Sequence, residues 1–257
     1  MNPATTPPIA LQLYSSRDFG GSLDSLFGEV AAAGYSGVET VGTQGCTAKE
    51  LRELLGKHGL KVCSSHYALE ALQEGLKEIA GFHEAVGNRD LVVPWLPHQL
   101  YDDTKESWQT IGRQLGELGA RCREHGLRLH YHNHAFEMAE VEGRLGLEWL
   151  LDAASPENLG FEPDLAWMVR GGVAPMTLLE GYAGRCELVH IKDLTAEGEN
   201  ADEGGWADVG AGRLPWDELL PAARVAGARW LIVEHDQPKD PVASLRRSAR
   251  FLQDGLL

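Results

Sequence analysis

The chain has 257 residues, room for one large domain, and its 43% hydrophobic and 24% charged residues exclude a disordered or fibrous protein. Its 23 basic residues against 38 acidic ones leave a formal net charge of −15. No cationic cluster exceeds Arg246-Arg247, which argues against a nucleic-acid partner. No apolar run approaches the ~18–20 residues of a membrane span, and Met1–Pro8 lacks the basic and apolar segments of a secretory leader, so a cytoplasmic protein with no membrane partner is expected.

After a short flexible N-terminus (1–8), Ile9–Tyr14 reads as the first strand. Ser22–Ala33 opens with a Ser/Asp cap signal and closes at Gly34, which predicts a helix. Gly37–Thr40 is the second strand. Thr47–His58 is the next helix, with Thr47 and Glu50 spaced as a capping box and Gly59 at its end. Leu60–Ser65 and Leu91–Pro94 follow as strands. Asp103–His125 carries the longest helical stripe (Trp108, Ile111, Leu115, Leu118, Cys122) and stops at Gly126. Leu127–His132, Leu159–Glu162, Leu188–Ile191 and Trp230–Glu234 complete eight strands. The alternation predicts a single-domain (β/α)8 TIM barrel over 1–257, with a doubly wound open sheet as the alternative. The four cysteines are far apart and read as reduced, buried thiols. His58 and His125 sit beside helix-ending glycines as structural residues, and His83 reads as a solvated helix residue.

In a barrel, chemistry belongs at the C-terminal ends of the strands. There the sequence offers Gln12 and Tyr14, His66, Trp95, the run His130–Glu137, Glu162 and Asp164 with Trp167 beyond, His190 with Lys192 and Asp193, and Glu234-His235-Asp236. Any one of these could face water. Burying so many carboxylates and imidazoles together without partners would cost several kcal/mol per charged group. A divalent cation removes that cost, and mixed Asp, Glu and His donors select Mn²⁺, Mg²⁺, Co²⁺ or Zn²⁺ over thiolate-seeking metals. Asp193 and Asp236 are placed to orient a neighbouring imidazole or lysine. No GxGxxG or GxxxxGK[ST] pattern supports a nucleotide cofactor, and no GxSxG elbow supports a hydrolase triad.

The blocks LQLYSSRD (11–18), YHNHAFE (131–137), FEPDLAW (161–167), VHIKD (189–193), VGAGRLPW (209–216) and VEHDQP (233–238) resemble the sugar phosphate isomerase/epimerase family. That family belongs to the xylose-isomerase-like barrels, with inosose dehydratase, hydroxypyruvate isomerase, ketose 3-epimerases and endonuclease IV among its relatives. The resemblance runs from about Ile9 to Leu252. It implies one divalent metal on Glu137, Asp164, His190 and Glu234, with His132 or His134 as alternatives to Glu137. Glu137 and Glu234 would then be the acid/base pair, and Lys192 a donor to a developing oxyanion or leaving hydroxyl. Gln12, Tyr14, His66, Trp95, His132, His134, Trp167 and His235 are the expected substrate contacts. The implied activity is isomerisation or epimerisation of a keto-sugar, sugar phosphate or cyclitol through an enediolate. Expulsion of a β-hydroxyl, as in a dehydratase or a lyase on 3-keto-sugars, is the alternative. A non-catalytic sugar-binding module and a nuclease are the readings from other classes. A monomer or homodimer is expected.

Overall fold

The computed structural model describes residues 6–255. Its eight parallel barrel strands are β1 (Ile9–Gln12), β2 (Gly37–Val41), β3 (Lys61–His66), β4 (Asp90–Val93), β5 (Arg128–His132), β6 (Leu159–Glu162), β7 (Leu188–Ile191) and β8 (Trp230–Val233). Hydrogen-bonded neighbours run in the order β6-β5-β4-β3-β2-β1-β8-β7, so β1 pairs with β8 and the sheet curls into a barrel rather than a doubly wound layer. The seam lies between β6 and β7. It is closed by His190 N donating to Pro163 O and Phe161 N donating to Arg185 O, with a single parallel bridge between Asp164 and His190.

Around the strands lie α1 (Leu23–Ala32), α2 (Ala48–His58), α3 (Leu69–Val86), α4 (Lys105–Glu124), α5 (Gly146–Asp152), α6 (Leu165–Arg170), α7 (Pro175–Gly181), α8 (Trp216–Ala226) and α9 (Pro241–Gly255). The cap signals operate as expected. Ser22 Oγ accepts from Ser25 N, and Thr47 and Glu50 form both halves of a capping box. Among the described residues no helix is long and apolar enough to cross a membrane. Of the N-terminal stretch 1–8, residues 1–5 lie outside the described residues. Pro7 is buried, and Pro8 O accepts from Leu231 N.

Strand alternation sorts side chains into two compartments. Leu11, Val38, Leu91, Tyr131, Phe161, Val189 and Val233 join the large core between strands and helices. Ala10, Cys63, Val92, Leu188 and Ile232 form a small apolar plug inside the barrel. One step further along several strands, the same phase delivers Gln12, His132, Glu162, His190 and Glu234. His83 departs from its solvated reading. It is fully buried, with Nδ1 accepting from Asn88 Nδ2 and Nε2 donating to Tyr67 Oη, and burial pulls its pKa down to about 4.

Helix α4 meets α5 and the segment after it through glycines. A methyl group at Gly112 would lie 2.1 Å from Leu150 O, and one at Gly119 would lie 1.8 Å from Asn158 O. Gly112→Ala should therefore destabilise the protein by about 1–3 kcal/mol in urea unfolding. Gly81→Ala, exposed on α3 with nothing within 4 Å, should stabilise it by roughly 0.5–1 kcal/mol. Equal effects at the two positions would refute close backbone packing at Gly112.

Candidate active site

Above the apolar plug the barrel interior turns ionic. Glu39 on β2 is fully buried and accepts from Gln12 Nε2 (2.6 Å), Ser64 Oγ (2.5 Å) and His190 Nε2 (2.7 Å). His66 Nε2 lies 3.0 Å from both Glu39 Oε2 and Glu162 Oε2. His66 faces inward because β3 carries a bulge. Val38 pairs with Val62 but Glu39 pairs with Ser64, so the phase of β3 shifts by one residue after Cys63. Gly160 on β6 leaves room for the His130 ring, since a methyl group there would sit 2.3 Å from His130 Nδ1.

Two overlapping sets of buried donors result, each with one donor atom per residue within 4.8 Å of the others: His132, Asp164, His190 and Glu234, and His66, His132, Glu162 and His190. In the first set His190 Nδ1 lies 3.1 Å from Glu234 Oε2 and 3.9 Å from Asp164 Oδ2. Lys192, 1% exposed, reaches Asp236 Oδ1 (2.7 Å), Glu234 Oε2 (2.9 Å) and Asp164 Oδ2 (3.3 Å). Several polar atoms in this region are buried without a hydrogen-bond partner: Asp164 Oδ2, His132 Nδ1 and Glu162 Oε1.

The electrostatics follow from burial against neighbours. Burial opposes ionisation of Glu234, but Lys192 and His190 outweigh it and hold the carboxyl well below its usual range. Burial likewise works against the charge on Lys192, and Asp164, Asp236 and Glu234 overcome it and raise its pKa. Glu162 is raised by burial and by the adjacent Glu39 carboxylate. His134 is pulled down to about 3 by burial and by Lys192, so it is neutral.

Asp164, His190, Glu234 and Lys192 converge, as the motifs anticipate, and His132 joins them. Glu137 lies outside both donor sets. The chain beyond β5 makes a 3-10 turn at Phe136–Met138, which carries Glu137 back under the strand. There Oε1 accepts from Tyr131 Oη (2.7 Å) and Oε2 from His134 N (2.8 Å). Gln12 orients Glu39 and does not line the main cavity. His235 is buried beside a separate depression with Asp208 and Glu203, its backbone N donating to Ser15 Oγ. Asp236 orients Lys192. Asp193 instead turns to the loop 206–216, accepting from four backbone N–H groups (Leu194, Gly210, Gly212, Leu214) and from Trp216 Nε1.

The cavity over the donors has a volume of about 460 Å³ and is lined by Tyr14, His66, Trp95, His132, His134, Trp167 and Glu234 among the expected residues. Arg17, Arg170, Trp206 and Gln237 also line it, and the sequence reading assigned them no role. Trp206 packs edge-on to Trp167 (centroids 4.7 Å apart), with the Arg170 guanidinium 3.4 Å above its ring.

Residues 27–255 match the family model described as xylose isomerase-like TIM barrel. The chain is 24% identical over 241 residues to an inosose dehydratase of Lacticaseibacillus casei, covering 81% of this chain and 80% of that one. Its fold is similar to that of a sugar phosphate isomerase/epimerase from Parabacteroides distasonis (TM-score 0.82, 21% identity, 97% of this chain and 99% of that chain). It is also similar to the IOLI protein solved with a zinc atom (TM-score 0.75, 15% identity, 96% and 97%).

Burial pushes Glu137 from the usual 4.5 up to about 7, against the lowering effect of the Tyr131 hydroxyl and backbone N–H donors. Between those values the folded chain holds a proton that the unfolded chain has released. The stability this group contributes is therefore complete at low pH and lost as the pH rises to about 7. Glu137→Gln keeps the neutral form throughout. In urea unfolding of metal-free protein, the variant should gain about 3 kcal/mol on the wild type across that window. Parallel pH profiles would contradict the raised pKa.

Proposed function

The chain belongs to the xylose isomerase-like TIM barrel family, and from that premise we propose a divalent-metal-dependent dehydratase. Its substrate is a keto-cyclitol or keto-sugar. The observation that carries this reading is the convergence of His132, Asp164, His190 and Glu234 beneath an aromatic-walled cavity, with Lys192 beside them.

The donors pass a simple fit test. Asp164 Oδ2 and His132 Nδ1 are buried and make no hydrogen bond, only looser ion-pair contacts with Lys192 Nζ (3.3 Å) and Glu162 Oε2 (3.4 Å), and a cation would supply a closer partner. We assign the metal to His132, Asp164, His190 and Glu234, with His132 taking the place first given to Glu137. These donors suit Mn²⁺, Mg²⁺, Co²⁺ or Zn²⁺. Glu39 accepts from His190 Nε2, which turns Nδ1 toward the other donors and makes it more basic. When bound, the cation acts as a Lewis acid on the substrate carbonyl.

The chain's own groups do the rest. Glu234 engages His190 and Lys192 through Oε2, which leaves Oε1 to take the proton α to the carbonyl. Lys192, kept protonated by three carboxylates and steadied by Asp236, donates to the β-hydroxyl. The C–H electrons become the new C=C bond as the C–O bond breaks, and the hydroxyl leaves as water. His134 and Trp167 flank the ring. Return of the proton to the neighbouring carbon would instead give isomerisation, and its return to the opposite face of the same carbon would give epimerisation; His134 on the cavity wall is the feature that favours those outcomes.

Metal-loaded protein given an inosose in D₂O should yield a product lighter by one water. Glu234→Gln should slow turnover by roughly 10²–10⁴-fold while retaining some metal. Glu39→Gln should weaken metal binding by about 10–100-fold in a chelator competition. A deuterated isomer or epimer formed without loss of water would replace dehydration by isomerisation or epimerisation. Neither exchange nor product across a keto-sugar and inosose panel would refute the proposal.

A further inference from the structure

The mouth of the cavity has two unlike sides. The donor side comes from the ends of β5 to β8, and its aromatic rings are already engaged: Trp167 and Trp206 pack on each other, and Trp206 is 2% exposed. The other side comes from the ends of β1, β2 and β4, which lie close together in the sheet order. It presents Tyr14 (45% exposed), Val41 (44%) and Trp95 (52%). Among the described residues only five large hydrophobic side chains are exposed, and three of them line this one cavity.

These exposed side chains are held in place rather than loose. Leu96, next to Trp95, is fully buried, which anchors the segment that carries the indole. The Arg17 guanidinium stacks 4.2 Å from the Tyr14 ring centroid and donates to Tyr14 O. Trp95 itself makes no ring contact with another aromatic side chain among the described residues. An anchored indole left half in water is unfavourable for the free protein, because its apolar area stays hydrated. It becomes favourable when a flat apolar partner covers it. The cavity's volume lies in the range that drug-sized ligands fill, which is more than one polar ring needs.

We infer that the substrate carries an aromatic substituent beyond its reacting ring, stacked on a shelf of Tyr14, Val41 and Trp95 while the polar ring reaches the donors. The inference rests on the reading above, in which the reacting ring sits over Glu234 and Lys192. It narrows the substrate class from free sugars and cyclitols to aryl-substituted ones. The shelf is a specificity element and takes no part in proton transfer.

The test measures binding of two probes to the metal-loaded full chain by calorimetry: methyl β-D-glucopyranoside and phenyl β-D-glucopyranoside. The phenyl compound should bind about tenfold or more tightly, a difference of about 1.4 kcal/mol. Trp95→Ala and Tyr14→Ala should each shrink that ratio toward one. Equal affinities in the wild type would overturn the inference, as would failure of both glucosides to bind. So would a phenyl preference that survives in both variants. Light scattering adds a further arm: a wild-type dimer that dissociates on Trp95→Ala would mean that a second copy of the chain covers the shelf, which also overturns the inference. Deuterium exchange from an inosose by the wild type is scored separately. Exchange without a phenyl preference sinks the shelf alone, and a Trp95-dependent preference without exchange sinks the chemistry alone.

Discussion

Carboxylates packed where water is excluded must each be met by a donor or a cation, and the upper half of this barrel is organised by that requirement. Glu39, Glu162, Asp164 and Glu234 crowd together inside the barrel. Six side chains from four strands supply what answers them: Gln12, Ser64, His66, His132, His190 and Lys192. The complement is incomplete among protein groups alone. Glu39 and Glu162 oppose each other across His66 and His190, and Asp164 keeps an oxygen without a hydrogen bond. An excess of buried acceptors is the chemical signature of a cation site, and it explains how a lysine comes to be 1% exposed.

Much of this was legible in the sequence because period-two alternation is a local property. The positions of Asp164, His190, Lys192 and Glu234 follow from where each strand ends, and the Gly59 and Gly126 helix stops follow from cap chemistry. What escaped depends on events that alternation does not encode. A bulge after Cys63 reverses the phase of β3, and it alone gives Ser64 and His66 the face they share with Glu39. Glu39 was overlooked although a lone carboxylate inside a short apolar strand, Gly37-Val38-Glu39-Thr40, was a readable signal. Glu137 lies five residues beyond His132, and whether it joined the donors depended on a turn that folds it back onto Tyr131. His83 shows the same limit on a helix. Its burial comes from the loop residues Asn88 and Tyr67, which helical period cannot foresee.

The loop 206–216 shows how one segment of the cavity wall is tied down by hydrogen bonds. One carboxylate, Asp193, gathers four backbone N–H groups and an indole N–H. That hub holds the segment whose Trp206 walls the site. A polar side facing an apolar shelf gives the cavity a direction, which in the proposed function puts proton transfer at one end and shape recognition at the other.

The seam between β6 and β7 gives the donor set a second significance. Elsewhere in the barrel neighbouring strands are laced by ladders, whereas here two backbone hydrogen bonds and one bridge do the closing. Asp164 and His190 stand on opposite edges of that gap, and the bridge joins those same two residues. The cation proposed above, if shared by them, would be a clasp across the thinnest part of the wall. The barrel's breathing and the proposed occupancy would then become one equilibrium, and amide exchange along β6 and β7 would report how tightly the clasp is shut.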